Sequence, residues 1–162
     1  MRLKDKVCIV TGGASGLGRT FSLGLAHEGA KVAVCSHSTD PGPVVNEIKA
    51  KGGQAIGIKV DVRDEESTKQ MAAKTKEAFG RIDVLVANAG IYGQLKPQPF
   101  ENIDPTEWDW VMAVNLKGPF LSARGVLPYM REQKKGNIYY CFICFLGGGE
   151  TPLYALRCYQ GW

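Results

Sequence analysis

The chain has 162 residues, 44% hydrophobic and 22% charged, with a net charge of +4. That is enough for one domain with a buried core, and it excludes a disordered or low-complexity chain. No basic run exceeds Lys134-Lys135, so nucleic acid is not implied, and the apolar run after Met1–Lys6 is too short for a secretory signal or a membrane span.

In chain order the pattern alternates strand and helix. Lys6–Thr11 is a run of β-branched and apolar residues that reads as a buried strand. Glycines follow, then a helix from about Gly16 to Glu28 closed by Gly29. Lys31–Cys35 is a second strand, and Pro43–Lys51 a helix opened by proline and ended by Gly52-Gly53. Ala55–Val60 is a third strand. Asp64 caps a helix that runs to Phe79 and stops at Gly80. Ile82–Ala87 is a fourth strand, followed by a loop with Gly90, Gly93, Pro97 and Pro99. Asp104 as N-cap, Pro105 at the first helical position and Glu107 two residues on start a long helix, predicted to reach about Met130 and to bend at Gly118-Pro119. Its apolar positions are Trp108, Val111, Met112, Leu116 and Phe120. Strands alternating with helices imply βαβ units, hence a doubly wound parallel α/β sheet of the Rossmann-like kind, with helices on both faces.

The five cysteines are odd in number and scattered: Cys8, Cys35, Cys141, Cys144 and Cys158. Cys8 and Cys35 fall in strand-like apolar runs and read as small buried hydrophobes. Cys141 and Cys144 have CxxC spacing, but no second pair or histidine cluster accompanies them, so no metal site is assigned. This usage fits a reducing cytoplasm.

The chemistry begins immediately after the first strand, at Thr11-Gly12-Gly13-Ala14-Ser15-Gly16-Leu17-Gly18, which opens a helix. Gly12 lets the chain turn out of the strand, Gly16 lets the backbone approach a pyrophosphate, and Gly18 lets helix and strand pack closely. The N–H groups at the helix start, together with its dipole, then hold the phosphates. Ser15 and Leu17 complete this loop. A glycine run alone can be a mere turn; here a strand precedes it and a helix follows.

The spacing Gly-x-x-x-Gly-x-Gly resembles the short-chain dehydrogenase/reductase family, and three further motifs fall in the family's order. Asp61-Val62 ends the third strand, where the resemblance implies that the aspartate contacts adenine. Asn88-Ala89-Gly90 matches the family's Asn-Ala-Gly motif, which lines the cofactor and steadies the sheet. Asn115 matches the helix asparagine of the catalytic tetrad; taken alone it would be a satisfied helix polar group. The resemblance implies hydride transfer between a nicotinamide coenzyme and a small alcohol or ketone, in a homo-oligomer paired through the long helix. An acidic residue at the end of the second strand would favour NAD by bonding the ribose 2′-OH. The chain has Ser36-His37 there, similar to NADP-preferring members, although the glycine loop lacks the basic residue many of those carry. The expectation is NADP ahead of NAD, with His37 alternatively an exposed loop residue.

The resemblance covers residues 1–138, a dinucleotide-binding domain, and breaks in a tail over 139–162. The family's fifth strand delivers a serine, as Gly-x-Ile-x-x-x-Ser-Ser, followed by a tyrosine and then a lysine that lowers the tyrosine's pKa. Gly136-Asn137-Ile138 starts that strand, but Ile143 fills the serine slot, Leu156 the tyrosine slot and Gln160 the lysine slot; Tyr154 is followed four residues on by Cys158 rather than lysine. Read one base later, the codons at Phe142/Ile143 and Ile143/Cys144 permit serine, those at Leu156/Arg157 permit tyrosine, and those at Gln160/Gly161 allow only lysine or arginine. The expectation is a one-base frameshift near Ile138 or Tyr139 and a chain that stops before completing its active site. The uncharged run Tyr139–Leu146, on a sheet with an uncovered edge, predicts poor solubility or a need for a partner. A dehydrogenase encoded by the intact frame competes with a non-catalytic dinucleotide-binding or dimer-interfering fragment, and with a generic nucleotide-binding module.

Overall fold

The computed structural model describes residues 1–92, 98–142 and 154–160, the last segment by its backbone. In chain order the elements are β1 (Val7–Thr11), α1 (Gly16–His27), β2 (Lys31–Ser36), α2 (Gly42–Ala50), β3 (Gln54–Lys59), α3 (Glu65–Phe79), β4 (Val84–Ala87), α4 (Pro105–Met112), α5 (Gly118–Glu132), β5 (Asn137–Phe142) and β6 (Tyr154–Gln160). The sheet order is β3-β2-β1-β4-β5-β6. The first five strands are mutually parallel. The chain winds outward from β1 through β2 to β3, then crosses to the other side of β1 at β4. That reversal opens a crevice beyond the C-terminal ends of β1 and β4, the usual ligand position in such sheets.

Strand β1 is buried along its whole length, which its continuous apolar sequence requires. Its side chains alternate between two cores. Ile9 joins Leu85, Met71, Ala72, Val126 and Met130 under α3 and α5, whereas Cys8 and Val10 join Val32, Val34, Val44 and Ile48 under α1 and α2. Cys8 and Cys35 are buried free thiols, as expected of small core residues. Burial pushes the Cys8 thiol up to about 12, with the Asp83 carboxylate adding to the shift, and burial raises that of Cys35 as well. Neither is a nucleophile. At the opposite end of the sheet Asp83, almost wholly buried, accepts from the Val7 N–H at 3.0 Å and from both Nε (2.8 Å) and Nη2 (2.6 Å) of Arg81. This satisfied carboxylate pins the start of β1 to β4.

The long helix is interrupted by a π-helical turn over Ala113–Lys117, directly before Gly118-Pro119, in which the Gly118 N–H bonds Ala113 O, five residues back. Pro119 supplies the reason: it has no N–H to donate to the Asn115 carbonyl four residues earlier, so the regular ladder fails there. Beyond the turn, small residues let α5 sit close to its neighbours. A Cβ on Gly118 would meet Val62 Cγ2 at 2.7 Å, and one on Gly125 would meet Thr68 O at 2.8 Å. Asp104 caps α4 as predicted, accepting from the Thr106 N–H at 2.7 Å. The Glu107 carboxylate accepts from Gln98 Nε2 at 2.9 Å.

The expected uncovered edge on β5 requires correction. β6 pairs antiparallel with β5, with Tyr140 opposite Leu156, so the sheet is mixed and its edge lies one strand further out. β5 continues through the expected 138/139 boundary and pairs with β4 as far as Tyr140. Its two faces differ: Tyr140 packs on the α3/α5 core, while Tyr139 is 38% exposed. Ile143, Cys144 and Leu146 lie outside the described residues.

Candidate functional site

The turn from β1 into α1 is built for close approach. Gly12 and Gly16 have φ of +66° and +50°, in the left-handed region where a side chain is strained. A Cβ on Gly12 would lie 3.0 Å from Ala89 Cα, and one on Gly18 would overlap the carbonyl oxygen of Gly12. At Gly16, by contrast, nothing lies within 4 Å of that position. Ser15 sits at the N-cap of α1 with extended backbone, yet its side chain caps nothing. The start of α1, exposed from Ser15 to Leu17, therefore presents its N–H groups and the positive end of its dipole without a side-chain acceptor from the protein, an arrangement suited to an anion.

The other wall of the crevice is Asn88-Ala89-Gly90, after β4. Thr11 Oγ1 accepts from the N–H groups of Asn88 and Ala89, each at 3.0 Å, and Asn88 Nδ2 donates to Thr11 O at 3.1 Å. Three hydrogen bonds thus fix the two walls together at the point where strand order reverses. Asn115 extends this wall: its Oδ1 accepts from the Ile91 N–H at 2.7 Å and its Nδ2 donates to Ile91 O at 3.0 Å. The side-chain amide acts as a peptide mimic, tying the π-helical turn to the loop after β4.

A second cluster lies along the sheet, beyond β2 and β3. Ser36 is buried in its strand and its carbonyl accepts from the Val60 N–H at 2.9 Å. His37 projects outward, its Nε2 3.6 Å from Asp61 Oδ2. Asp61 is held chiefly by Arg63, whose Nε lies 2.9 Å from Oδ1 and whose Nη2 lies 2.6 Å from Oδ2. This guanidinium fork holds the Asp61 carboxyl down at about 2. Val62 is buried beneath Gly118 and belongs to the core.

Residues 6–152 match the family model described as short chain dehydrogenase. The chain belongs to the short chain dehydrogenase family. It is 42% identical over 135 residues to versicolorin reductase 1 of Aspergillus parasiticus, covering 81% of this chain and 50% of that protein. It is 39% identical over 140 residues to levodione reductase of Leifsonia aquatica, covering 85% and 52%. A short chain dehydrogenase from Mycobacterium avium superposes with a TM-score of 0.78 at 33% identity, over 85% of this chain and 52% of that one. The chain thus spans about half the length of these relatives. Short chain dehydrogenases are oxidoreductases that use NAD(P) and act on small molecules.

The structure brings Gly12, Ser15, Gly16, Leu17, Gly18, Asn88, Ala89, Gly90 and Asn115 to one crevice, and His37 and Asp61 to its flank; it draws Ser36 and Val62 into the interior. Sequence reasoning passed over four residues. Thr11 clamps the crevice walls. Ser22, fully buried, donates to Gly13 O (3.2 Å) and Gly18 O (2.9 Å), bracing the turn from within. At Gly13 a Cβ would meet Val10 O at 2.8 Å. Arg63 neutralises Asp61. A hydroxyl at a strand end is the only signal Thr11 gave, while Arg63 two residues beyond Asp61 was readable as an ion pair. The slots of the short chain dehydrogenase tyrosine and lysine, Leu156 and Gln160, fall on strand β6, whereas the resemblance puts them on a helix. Trp108, an apolar position of the predicted long helix, is 49% exposed and does not join the core. No helix among the described residues is long and apolar enough to cross a membrane.

Proposed function

We propose that this chain is the dinucleotide-binding portion of an NAD(P)-dependent oxidoreductase that interconverts a hydroxyl and a carbonyl. The observation that carries the reading is the uncapped start of α1, opposite a wall held in place by Thr11. Gly16 and its neighbours fit a diphosphate there: the space a Cβ would occupy is open, and the N–H groups lack a side-chain cap. Gly12, Ser15, Gly16, Leu17 and Gly18 bind the phosphates, and Asn88, Ala89 and Gly90 line the crevice beside them. Asp61 bounds the adenine end, with Val62 buried behind it. A bound coenzyme supplies the hydride chemistry. Asn115 serves as the tetrad asparagine, holding the loop after β4 in place through Ile91.

NADP is the preferred coenzyme, because no carboxylate stands at the end of β2 and His37 does. The chain as it stands does not perform turnover, since Ile143, Leu156 and Gln160 occupy the serine, tyrosine and lysine slots. A one-base frameshift near Ile138 or Tyr139 accounts for these residues. Titration of the chain with NADP and NAD tests binding. Sequencing the locus and assaying the frame-restored protein on ketone and alcohol panels tests the rest; an inactive restored protein, or no single-base change that restores both motifs, contradicts it.

A second reading is favoured by the surface. Leu116 and Phe120, 52% and 58% exposed, form with Met112 an apolar face that runs from the end of α4 across the π-helical turn into α5. Through it the chain pairs with a second subunit in a cytoplasmic homo-oligomer, or docks as a non-catalytic fragment on a complete subunit and interferes with it. Mixing with frame-restored enzyme distinguishes the two by whether activity falls with added chain.

A further inference from the structure

We infer that Ser22 is a positioning residue for the coenzyme: from inside α1 its hydroxyl sets the Gly13–Ala14 peptide, so that the turn before the helix offers its N–H groups to an anion. The inference rests on the dinucleotide reading above and deepens it by naming what holds the donors in place. Among the described residues the N–H groups from Ala14 to Gly18 find no acceptor. A turn that leaves its donors unanswered takes its shape from its other polar groups, and here those converge on Gly13.

Gly13 is gripped from two sides. Its N–H donates to Cys35 O at 2.8 Å, and its carbonyl accepts from the Ser22 hydroxyl at 3.2 Å. That hydroxyl is the carbonyl's only partner among the described residues. It also lies 2.9 Å from Gly18 O, so one proton is shared between the turn and the first turn of α1. Ser22 is fully buried, and solvent does not compete for this proton. The surroundings are tight: a Cβ on Gly13 would meet Val10 O at 2.8 Å, Ser22 Oγ at 2.9 Å and Val34 Cγ1 at 3.2 Å. A trans peptide points its C=O and its N–H in opposite directions. With Gly13 O drawn inward to Ser22, the Ala14 N–H of the same peptide faces away from it. Rotating that peptide would withdraw the donor and leave the Gly13 carbonyl unpaired. Without the hydroxyl the other orientation becomes populated, and a coenzyme that binds only the correct one loses affinity by that fraction.

Calorimetric titration of the full chain with NADP and NAD tests this, well below the melting temperature that circular dichroism gives for each variant. Ser22→Ala should weaken both coenzymes alike, by about threefold to tenfold, the worth of one neutral hydrogen bond. Ser22→Cys fills the space with a weak donor and should be weakened nearly as much. Ser22→Thr keeps the hydroxyl and should bind like the unaltered chain; if it does not fold, the comparison of Cys with Ala decides. In nitrogen-15 spectra of free Ser22→Ala the Ala14 amide resonance should move. A lower melting temperature with unchanged affinity would make Ser22 a packing residue, and recovery of affinity in Ser22→Cys would assign the effect to volume. Either result overturns the inference, as would a folded Ser22→Thr that binds no better than Ser22→Ala. Gly18→Ala tests the parent reading separately and should weaken both coenzymes. If the unaltered chain takes up neither, the dinucleotide reading itself fails, and this inference with it. If both bind and Gly18→Ala weakens them while Ser22→Ala does not, only the assignment of Ser22 is wrong.

Discussion

Helices α1 and α3 start from the same structural problem and meet it in opposite ways. At α3, Asp64 takes the extended N-cap conformation and accepts from the Glu66 N–H at 3.0 Å, while Glu65 and Glu66 place negative charge in the first turn. At α1, Ser15 takes the same conformation without capping, and the first turn holds no acidic residue. Capping contributes about 1 kcal/mol per helix, and omitting it at α1 leaves N–H groups unanswered by any side chain. α3 is finished as a structural element; in the proposed function an anion completes α1 at its mouth. The contrast teaches where to look for a ligand: at the helix start that the protein has declined to satisfy.

The comparison can be broken most forcefully at Gly18. Gly18→Ala sets a methyl group onto the Gly12 carbonyl, and overpacking of this kind costs about 1–3 kcal/mol. Coenzyme affinity measured by calorimetry should fall more than tenfold, on the order of that cost, and unchanged affinity would mean that the α1 mouth is not the site. Asn115→Ala comes next. It leaves the Ile91 N–H and carbonyl without their partners, so about 1–3 kcal/mol of local stability is lost. Faster hydrogen exchange at Ile91 would show it. Asp64→Ala should lower stability by about 1 kcal/mol in chemical denaturation with coenzyme binding unaffected. Ser15→Ala should do the reverse, changing stability by no more than a few tenths of a kcal/mol, since no cap is lost, while coenzyme binding weakens.

Asp61 sharpens the comparison by pH. Its folded carboxyl is depressed to about 2 from an ordinary 3.8, first by the Arg63 hydrogen bonds. A depressed carboxyl contributes stability that is complete above its unfolded value and is lost as pH falls from about 4 toward 2. In Arg63→Met the Asp61 carbon-13 carboxyl titration should move back up toward 3.8, and that acid-side loss of stability should shrink.

Much of this was legible in the sequence because strand and helix periodicities are local. The βαβ alternation, the Asp64 and Asp104 caps and the glycines at Gly29 and Gly80 depend on neighbours a few residues away, and all appear where expected. The contacts that define the site are not local. Thr11 meets Asn88, 77 residues on, and Asn115 meets Ile91, 24 residues back; no spacing rule announces either pair. The π-helical turn needed the consequence of Pro119 to be traced one turn back. The burial of Ser36 depends on β3 lying alongside β2. The apolar positions Trp108, Leu116 and Phe120 of the long helix face outward, and periodicity alone does not say whether an apolar position meets the core or an interface. The pairing of β5 with β6 was open to a sequence reading, since Gly147-Gly148-Gly149 and Pro152 between them are turn residues, but the register that joins the two strands is not a local feature.

The most direct test of the central claim is hydrogen–deuterium exchange of the chain with and without NADP. The account predicts new protection over residues 12–19 and 88–91 and none at the start of α3, where Asp64 already holds the backbone. Saturating coenzyme that leaves residues 12–19 exchanging as before would contradict it.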